Sequence, residues 1–170
     1  MLGELYSRCP DAEAFRHAVE ALGGDFVLDA AEMIELGEAY FRRHPDTSCN
    51  RDRESVLAGY ALVRLCVTER LIRRLSPAER EFYRGVFQNP GKVGVLSGRF
   101  SNDELQAGLA SVEAAMAEIR ESIEGIPKGP VKERFIGGIS HLCTVLYLIR
   151  LHLDKRTPGL DSGQSGGGKS

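Results

Sequence analysis

Large apolar residues recur every three or four positions along much of the chain, which is the spacing of helices with one buried face. The clearest run lies between Ser101 and Pro127. Its apolar residues, named here the seam, are Leu105, Leu109, Val112, Met116, Ile119 and Ile123. Because small residues such as Gly108 and Ala115 flank the seam, a neighbouring backbone can approach this helix closely.

Capping residues mark where helices begin. Asp29, Ser76 and Ser101 each precede a glutamate by three residues, the spacing of a reciprocal capping box. Glycine and proline mark the ends, for example at Gly23 and Pro45. Together with the periodicity, these signals predict helices at about 11–22, 30–44, 53–75, 77–88, 102–125 and 131–155. The run 93–96 alternates weakly and is the candidate for extended chain.

The pattern therefore predicts an all-α fold, a single compact bundle of about six helices over residues 1–156. Helices 53–75, 102–125 and 131–155 are expected at its centre. From residue 157 to residue 170 proline, glycine and serine dominate, which predicts a disordered tail.

The most apolar stretch, residues 135–149, raises the question of a membrane span. Fifteen helical residues rise only about 22 Å, whereas the hydrocarbon core of a bilayer is roughly 30 Å thick. Charged residues also bracket the stretch. We therefore expect a central helix that its neighbours cover on every side, and no membrane span.

Charge is segregated along the chain although the net charge is only −2. Residues 1–41 contain two arginines against nine acidic residues, whereas residues 42–84 contain ten arginines against six acidic residues. We favour compensation inside the fold over surfaces that face partners. The four cysteines form no CxxC pair, and the first residues lack the pattern of a secretory signal, so we expect free thiols and a cytoplasmic protein.

Two strings resemble motifs of known families. Residues 163–170 read GQSGGGKS, which resembles the Walker A motif of P-loop nucleotide-binding proteins, but no predicted strand precedes it and we interpret it as part of a low-complexity tail. Leu75 to Glu81 resembles the start of the helix-turn-helix of LuxR-type transcription regulators. The resemblance implies DNA binding, but a long connection and an acidic helix follow where a recognition helix is expected.

Three small-scale features are candidates for ligand binding. The segment 90–99 is rich in glycine and carries Lys92 and Arg99, which suits an anion, although acidic residues follow at the next helix start. His141 is a single polar group in the apolar helix and could serve a bundle pocket as a donor or as an axial haem ligand. No histidine follows a glutamate at the spacing of a bundle di-metal site, so no metal site is predicted.

These observations favour a non-catalytic interaction or regulatory module that works through a helical face, with a protein partner or self-association through the seam. The first alternative is a small-molecule or haem-binding bundle with His141 in its pocket. The second is a nucleic-acid-associated protein that uses the arginines of 64–84, including Arg73 and Arg74, and it is less favoured because the chain is not basic overall. Spacing alone assembles no nucleophile, base and orienting group, so an enzyme is not favoured, and no cofactor is identified.

Overall fold

The computed structural model describes residues 1–45 and 53–157. These residues form eight α-helices: α1 (Leu2–Arg8), α2 (Ala12–Leu22), α3 (Ala30–Arg43), α4 (Arg53–Leu71), α5 (Pro77–Gln88), α6 (Val93–Leu96), α7 (Asn102–Glu124) and α8 (Pro130–Arg156). Two 3₁₀ turns, Pro90–Lys92 and Ser97–Arg99, flank α6. The described part of the chain contains no strand, so the all-α prediction is confirmed. Residues 158–170, with the predicted tail and the Walker-like string, lie outside the described residues.

Helix count and some boundaries differ from the prediction. The structure has eight helices instead of about six, because α1 and α6 are too short to show a clear apolar period. The run 93–96 is helical instead of extended. The helix predicted to end at residue 75 ends at Leu71, and Ile72 and Leu75 are buried in the turn that follows.

The predicted caps show why α5 and α7 begin where they do. Both Ser76 and Ser101 form complete capping boxes with the glutamate three residues later. At α3 the box is only half formed: Asp29 accepts from the Glu32 amide at 2.9 Å, but the Glu32 carboxylate binds the amino terminus of Met1. The glutamate therefore holds α1 against α3 instead of closing its own cap.

Helix α8 lies at the centre and contacts α3, α4, α5, α6 and α7. Its closest approach is to α4, where a Cβ on Gly138 would lie 2.5 Å from a methyl group of Val63. The absence of a side chain at Gly138 therefore allows the two backbones to cross. Buried Arg134 at the start of α8 lies over the rings of Phe41 and Tyr60 at 5.6 and 5.8 Å.

The expectation that neighbours cover α8 on every side is wrong. Ile136, Tyr147 and Leu148 are 46%, 61% and 38% exposed, respectively, and lie with Ser140 and Thr144 on one outward face. The opposite face contains the buried Leu142 and Ile149. Helix α8 is therefore buried on one face and exposed on the other. Its exposed apolar residues cannot be distinguished from core residues by sequence, because the sequence does not show where neighbouring helices end.

Candidate ligand-binding cleft

The seam of α7 lies inside the chain. All six seam residues are at most 4% exposed, and they pack in the core with α4 and α8. These side chains are therefore already used for folding, as buried apolar positions of a bundle usually are. An interaction surface of the folded chain has to be formed by other residues.

The segment with Lys92 and Arg99 is not an open loop. It folds as short helical turns that the end of α8 holds in place: Arg156 donates to the carbonyl oxygens of Ser97 and Phe100, and His152 pairs with the buried Ser97 hydroxyl at 2.9 Å. Lys92 and Arg99 are exposed and do not line the cleft that contains His141. The structure thus does not bring the three predicted ligand residues together.

The arginines of residues 64–84 lie in two clefts and in the turn after α4. Arg70, Arg73 and Arg74 line a cleft of about 310 Å³ between the end of α4 and α7, and Arg73 pairs there with Asp25 at 3.2 Å. Arg80 instead donates to the carbonyl oxygens of Leu75 and Arg73 and closes the turn after α4. The predicted arginine stretch is therefore divided among separate places in the described part of the chain.

A second cleft, of about 570 Å³, contains His141 and lies where α2, α4, α5 and α8 meet. Its volume falls in the range of about 300–1,000 Å³ that is typical of small-molecule sites. Its apolar walls are formed by Ala61, Leu65, Phe87 and Leu142. Its polar lining consists of Arg16, Glu20, Arg64, Thr68, Glu69, Arg84, Gln88 and His141.

A buried ion pair lies along one wall of this cleft. The Glu69 side chain is 2% exposed and accepts two hydrogen bonds from Arg84, from Nε and Nη2, both at 2.8 Å. This is the bidentate geometry in which arginine binds carboxylates most strongly. Gly24 permits the packing around Glu69, because a Cβ there would lie 2.3 Å from the Glu69 carbonyl oxygen. The pair raises the pKa of the Arg84 guanidinium, which stays charged.

Two of the three arginines that line the cleft form ion pairs. Arg16 pairs with Glu20 at 3.0 Å and with Glu13, and Arg84 pairs with Glu69. Arg64 also lines the cleft, and within the described part of the chain it has neither an ion-pair partner nor a side-chain hydrogen bond. Half-buried Arg64 is therefore the group most available to an anion, because a guanidinium removed from water needs a charged or polar partner.

His141 is held by a backbone group of α5. Its Nε2 lies 3.0 Å from the carbonyl oxygen of Phe87, so Nε2 carries the proton and donates. Nδ1 is then the acceptor nitrogen. Because Nε2 is occupied, this arrangement suits a hydrogen-bonding role better than an axial haem ligand, which would have to break the bond to Phe87.

The cleft offers binding groups and no evident nucleophile. Burial raises the pKa of the nearby Cys66 thiol, which keeps it protonated. Cys9 and Cys143 are also free thiols, whereas Cys49 lies outside the described residues. Over residues 1–45 and 53–157, no three histidine, cysteine or acidic side chains converge as metal ligands would.

Comparisons with known proteins give no relative for this chain. It matches no family model, no curated protein and no solved structure. Among the described helices, α8 is long and apolar enough to cross a membrane by length and composition alone, a property that it shares with core helices.

The pattern of the sequence did not predict a role for Glu69, the buried acidic residue in the wall of the cleft. Glu69 lies three residues after Cys66 and three before Ile72, and all three are buried. An acidic residue on an apolar helical face is a recognisable signal of a buried ion pair. The partner could not be predicted, because Arg84 comes from the following helix across a turn.

Proposed function

We propose that this protein is a helical module that binds a small organic anion in the cleft containing Arg64, Arg84 and His141. The observation that carries the proposal is that half-buried Arg64, which has no ion-pair partner among the described residues, lies in the same cleft as the bidentate Glu69–Arg84 pair. The pair fixes Arg84 before any ligand arrives, and such preorganisation lowers the entropic cost of binding.

The remaining groups support an anion with an apolar part. Gln88 adds an amide that can donate, and Leu65 and Phe87 supply apolar wall, whereas Nδ1 of His141 can accept a hydrogen bond only from a donor group of the ligand. Ligand sites commonly combine a mostly apolar lining with a few placed polar groups. The carboxylates of Glu20 and Glu69 lie in the same cleft and disfavour highly charged ligands, because each repels a second negative charge.

Thermal shift measurements with a panel of carboxylates and phosphates test this function. We expect some organic anions to raise the melting temperature of the wild type, and Arg64→Gln to remove the shift. Arg120→Gln, which changes an exposed arginine of α7 outside the cleft, is the matched control and should keep the shift. The proposal fails if no anion stabilises the protein, or if both variants respond alike.

A second candidate function is self-association, which the outward face of α8 favours. Ile136, Tyr147 and Leu148 form an exposed apolar stripe, whereas the seam that first indicated an interface is buried. Light scattering on the wild type and on Tyr147→Glu tests this candidate. A dimer that becomes a folded monomer in the variant supports it, and a monomeric wild type rejects it.

A further inference from the structure

The cleft that contains Arg64, Arg84 and His141 is named here the arginine cleft, and a mostly apolar cavity of about 480 Å³ adjoins it along α4. Its apolar walls include Tyr6 of α1, Phe15 of α2, Tyr40 of α3 and Leu62 of α4. The aromatic rings are held by one another: Tyr6 and Phe15 meet edge to face at 5.2 Å, and Tyr6 and Tyr40 lie 6.1 Å apart. Contacting aromatic rings from α1, α2 and α3 therefore form part of the cavity wall.

The two cavities share part of their lining. Arg16, Ala61 and Leu65 line both, so the outer face of α4 forms a common floor from Ala58 to Thr68. Ten residues of helix rise about 15 Å, which is the span from the apolar end to the arginine end. The aliphatic stem of Arg16 can pack against an apolar molecule on this floor, since its guanidinium remains held by Glu13 and Glu20.

We infer that the two cavities together form one site for an amphipathic monocarboxylate with an unbranched apolar chain. Its carboxylate lies between Arg64 and Arg84, and its chain runs over Ala61 and Leu65 into the apolar cavity beside Phe15. This inference rests on the proposed function, because it assigns the ligand class of the same arginine cleft.

Charge and shape both favour this class of ligand. Arg16 and Arg84 already pair with glutamates, so Arg64 is the arginine of the cleft that can take the carboxylate, and a dianion would bring a second negative charge close to Glu20 and Glu69. A flat aromatic anion would fill only the arginine cleft and leave the adjoining apolar cavity empty. A chain instead covers the exposed Ala61 and the half-buried Leu62 and Leu65, which removes apolar surface from water along the whole floor.

Titration calorimetry with acetate, octanoate and dodecanoate, each below its micelle concentration, tests the inference. We expect affinity to rise with chain length by up to about fourfold for each buried methylene. Arg64→Gln should weaken dodecanoate at least tenfold. Ala58→Phe, at an exposed position that lines the apolar cavity and not the arginine cleft, should weaken dodecanoate similarly and leave the response to acetate unchanged.

Leu57→Gln is the matched control, because Leu57 is a 49% exposed residue of α4 that lines neither cavity. It should bind dodecanoate as the wild type does. Circular dichroism of each variant establishes that it is folded, and Leu62→Gln, which also lines the apolar cavity alone, replaces Ala58→Phe if the latter does not fold.

Other outcomes overturn the inference in distinguishable ways. If acetate or phosphate binds through Arg64 with no gain from chain length, the ligand class is wrong but the proposed anion site stands. If dodecyltrimethylammonium binds as well as dodecanoate, the carboxylate is not recognised. If the protein binds anionic phospholipid vesicles through Arg64 but not monomeric dodecanoate, the ligand is a membrane surface. If no anion binds, the proposed function fails as well.

Discussion

At the scale of single residues, Tyr83 carries a buried hydroxyl that serves no visible purpose in folding. The side chain is 1% exposed, and its hydroxyl has no hydrogen-bond partner among residues 1–45 and 53–157. Removing an unsatisfied buried polar group relieves its desolvation cost, so we expect Tyr83→Phe to raise the free energy of unfolding by about 1–2 kcal/mol. Tyr40→Phe is the control and should lower it by about 1 kcal/mol, because the Tyr40 hydroxyl donates to the Ser55 carbonyl. Urea denaturation of both variants measures the difference, and equal effects would contradict it.

The same hydroxyl predicts sensitivity to alkaline pH. Burial raises the pKa of Tyr83, and Glu79 and Glu113 raise it further. The pKa of Tyr83 in the folded state therefore lies above the unfolded value of about 10. The free energy of unfolding is unaffected by this group below about pH 10 and falls as the pH rises towards the folded-state pKa. We expect stability above about pH 10 to fall by up to about 1.4 kcal/mol per pH unit more in the wild type than in Tyr83→Phe. Chemical denaturation at several pH values measures both slopes, and parallel curves would disprove the effect.

We expect the loss of Arg84 and the loss of Glu69 from the buried ion pair to lower the free energy of unfolding by different amounts. Arg84→Gln leaves the Glu69 carboxylate buried without its partner, so we expect a loss of about 3–5 kcal/mol in the free energy of unfolding. Glu69→Gln leaves Arg84, which is 34% exposed and can turn towards water, so a loss of about 1–3 kcal/mol is expected.

Denaturation of the two single variants and of the double variant measures this asymmetry as a thermodynamic cycle. The exposed pair Glu113–Arg150 is the control and should contribute under about 1 kcal/mol. Equal losses from both single variants of the cleft pair would show that Glu69 is not the buried partner.

At the scale of helices, the crossing of α4 and α8 depends on a missing side chain. A Cβ on Gly138 would lie 2.5 and 2.6 Å from two atoms of Val63, which is 3% exposed and has no room to move. We expect Gly138→Ala to lower stability by about 1–3 kcal/mol through overpacking. Gly98→Ala is the matched control, since nothing lies within 4 Å of its added Cβ, and thermal unfolding compares the two. If Gly138→Ala is as stable as the wild type, the closest crossing of α4 and α8 does not lie at Gly138.

The helices also show what could be predicted from sequence. Local signals were sufficient for α5 and α7, because Ser76 and Ser101 satisfy backbone amides within their own first turns. They were insufficient for α1, which has no side-chain cap and is held by Glu32 of another helix. The same contrast between local signals and tertiary packing applies to the residues of the cleft. His141 was identified from its own helix, whereas its bond to Phe87 and the pairing of Glu69 with Arg84 depend on tertiary packing.

At the scale of the whole molecule, the two oppositely charged stretches of the chain contact each other at the surface. Arg73 from the arginine-rich stretch pairs with Asp25 from the acidic first third, and Glu20 adds to the field that raises the pKa of Arg84. Arg64 does not take part in these pairs, although it belongs to the same stretch. Among the described residues a single ion pair joins the two stretches, so internal compensation remains a prediction.

Because α8 is buried on one face only, mutations on its two faces can test whether the exposed face contacts water or lipid. Thr144 lies on the outward face, whereas Leu142 is 1% exposed. If that face contacts water, Thr144→Lys should change stability by no more than about 0.5 kcal/mol, and Leu142→Lys should unfold the chain because it buries an unpaired charge. A face inserted in lipid would instead penalise Thr144→Lys by roughly 2.5–3.5 kcal/mol. Circular dichroism melts after ultracentrifugation without detergent distinguish these cases, and a wild type that sediments with membranes would contradict the prediction of no membrane span.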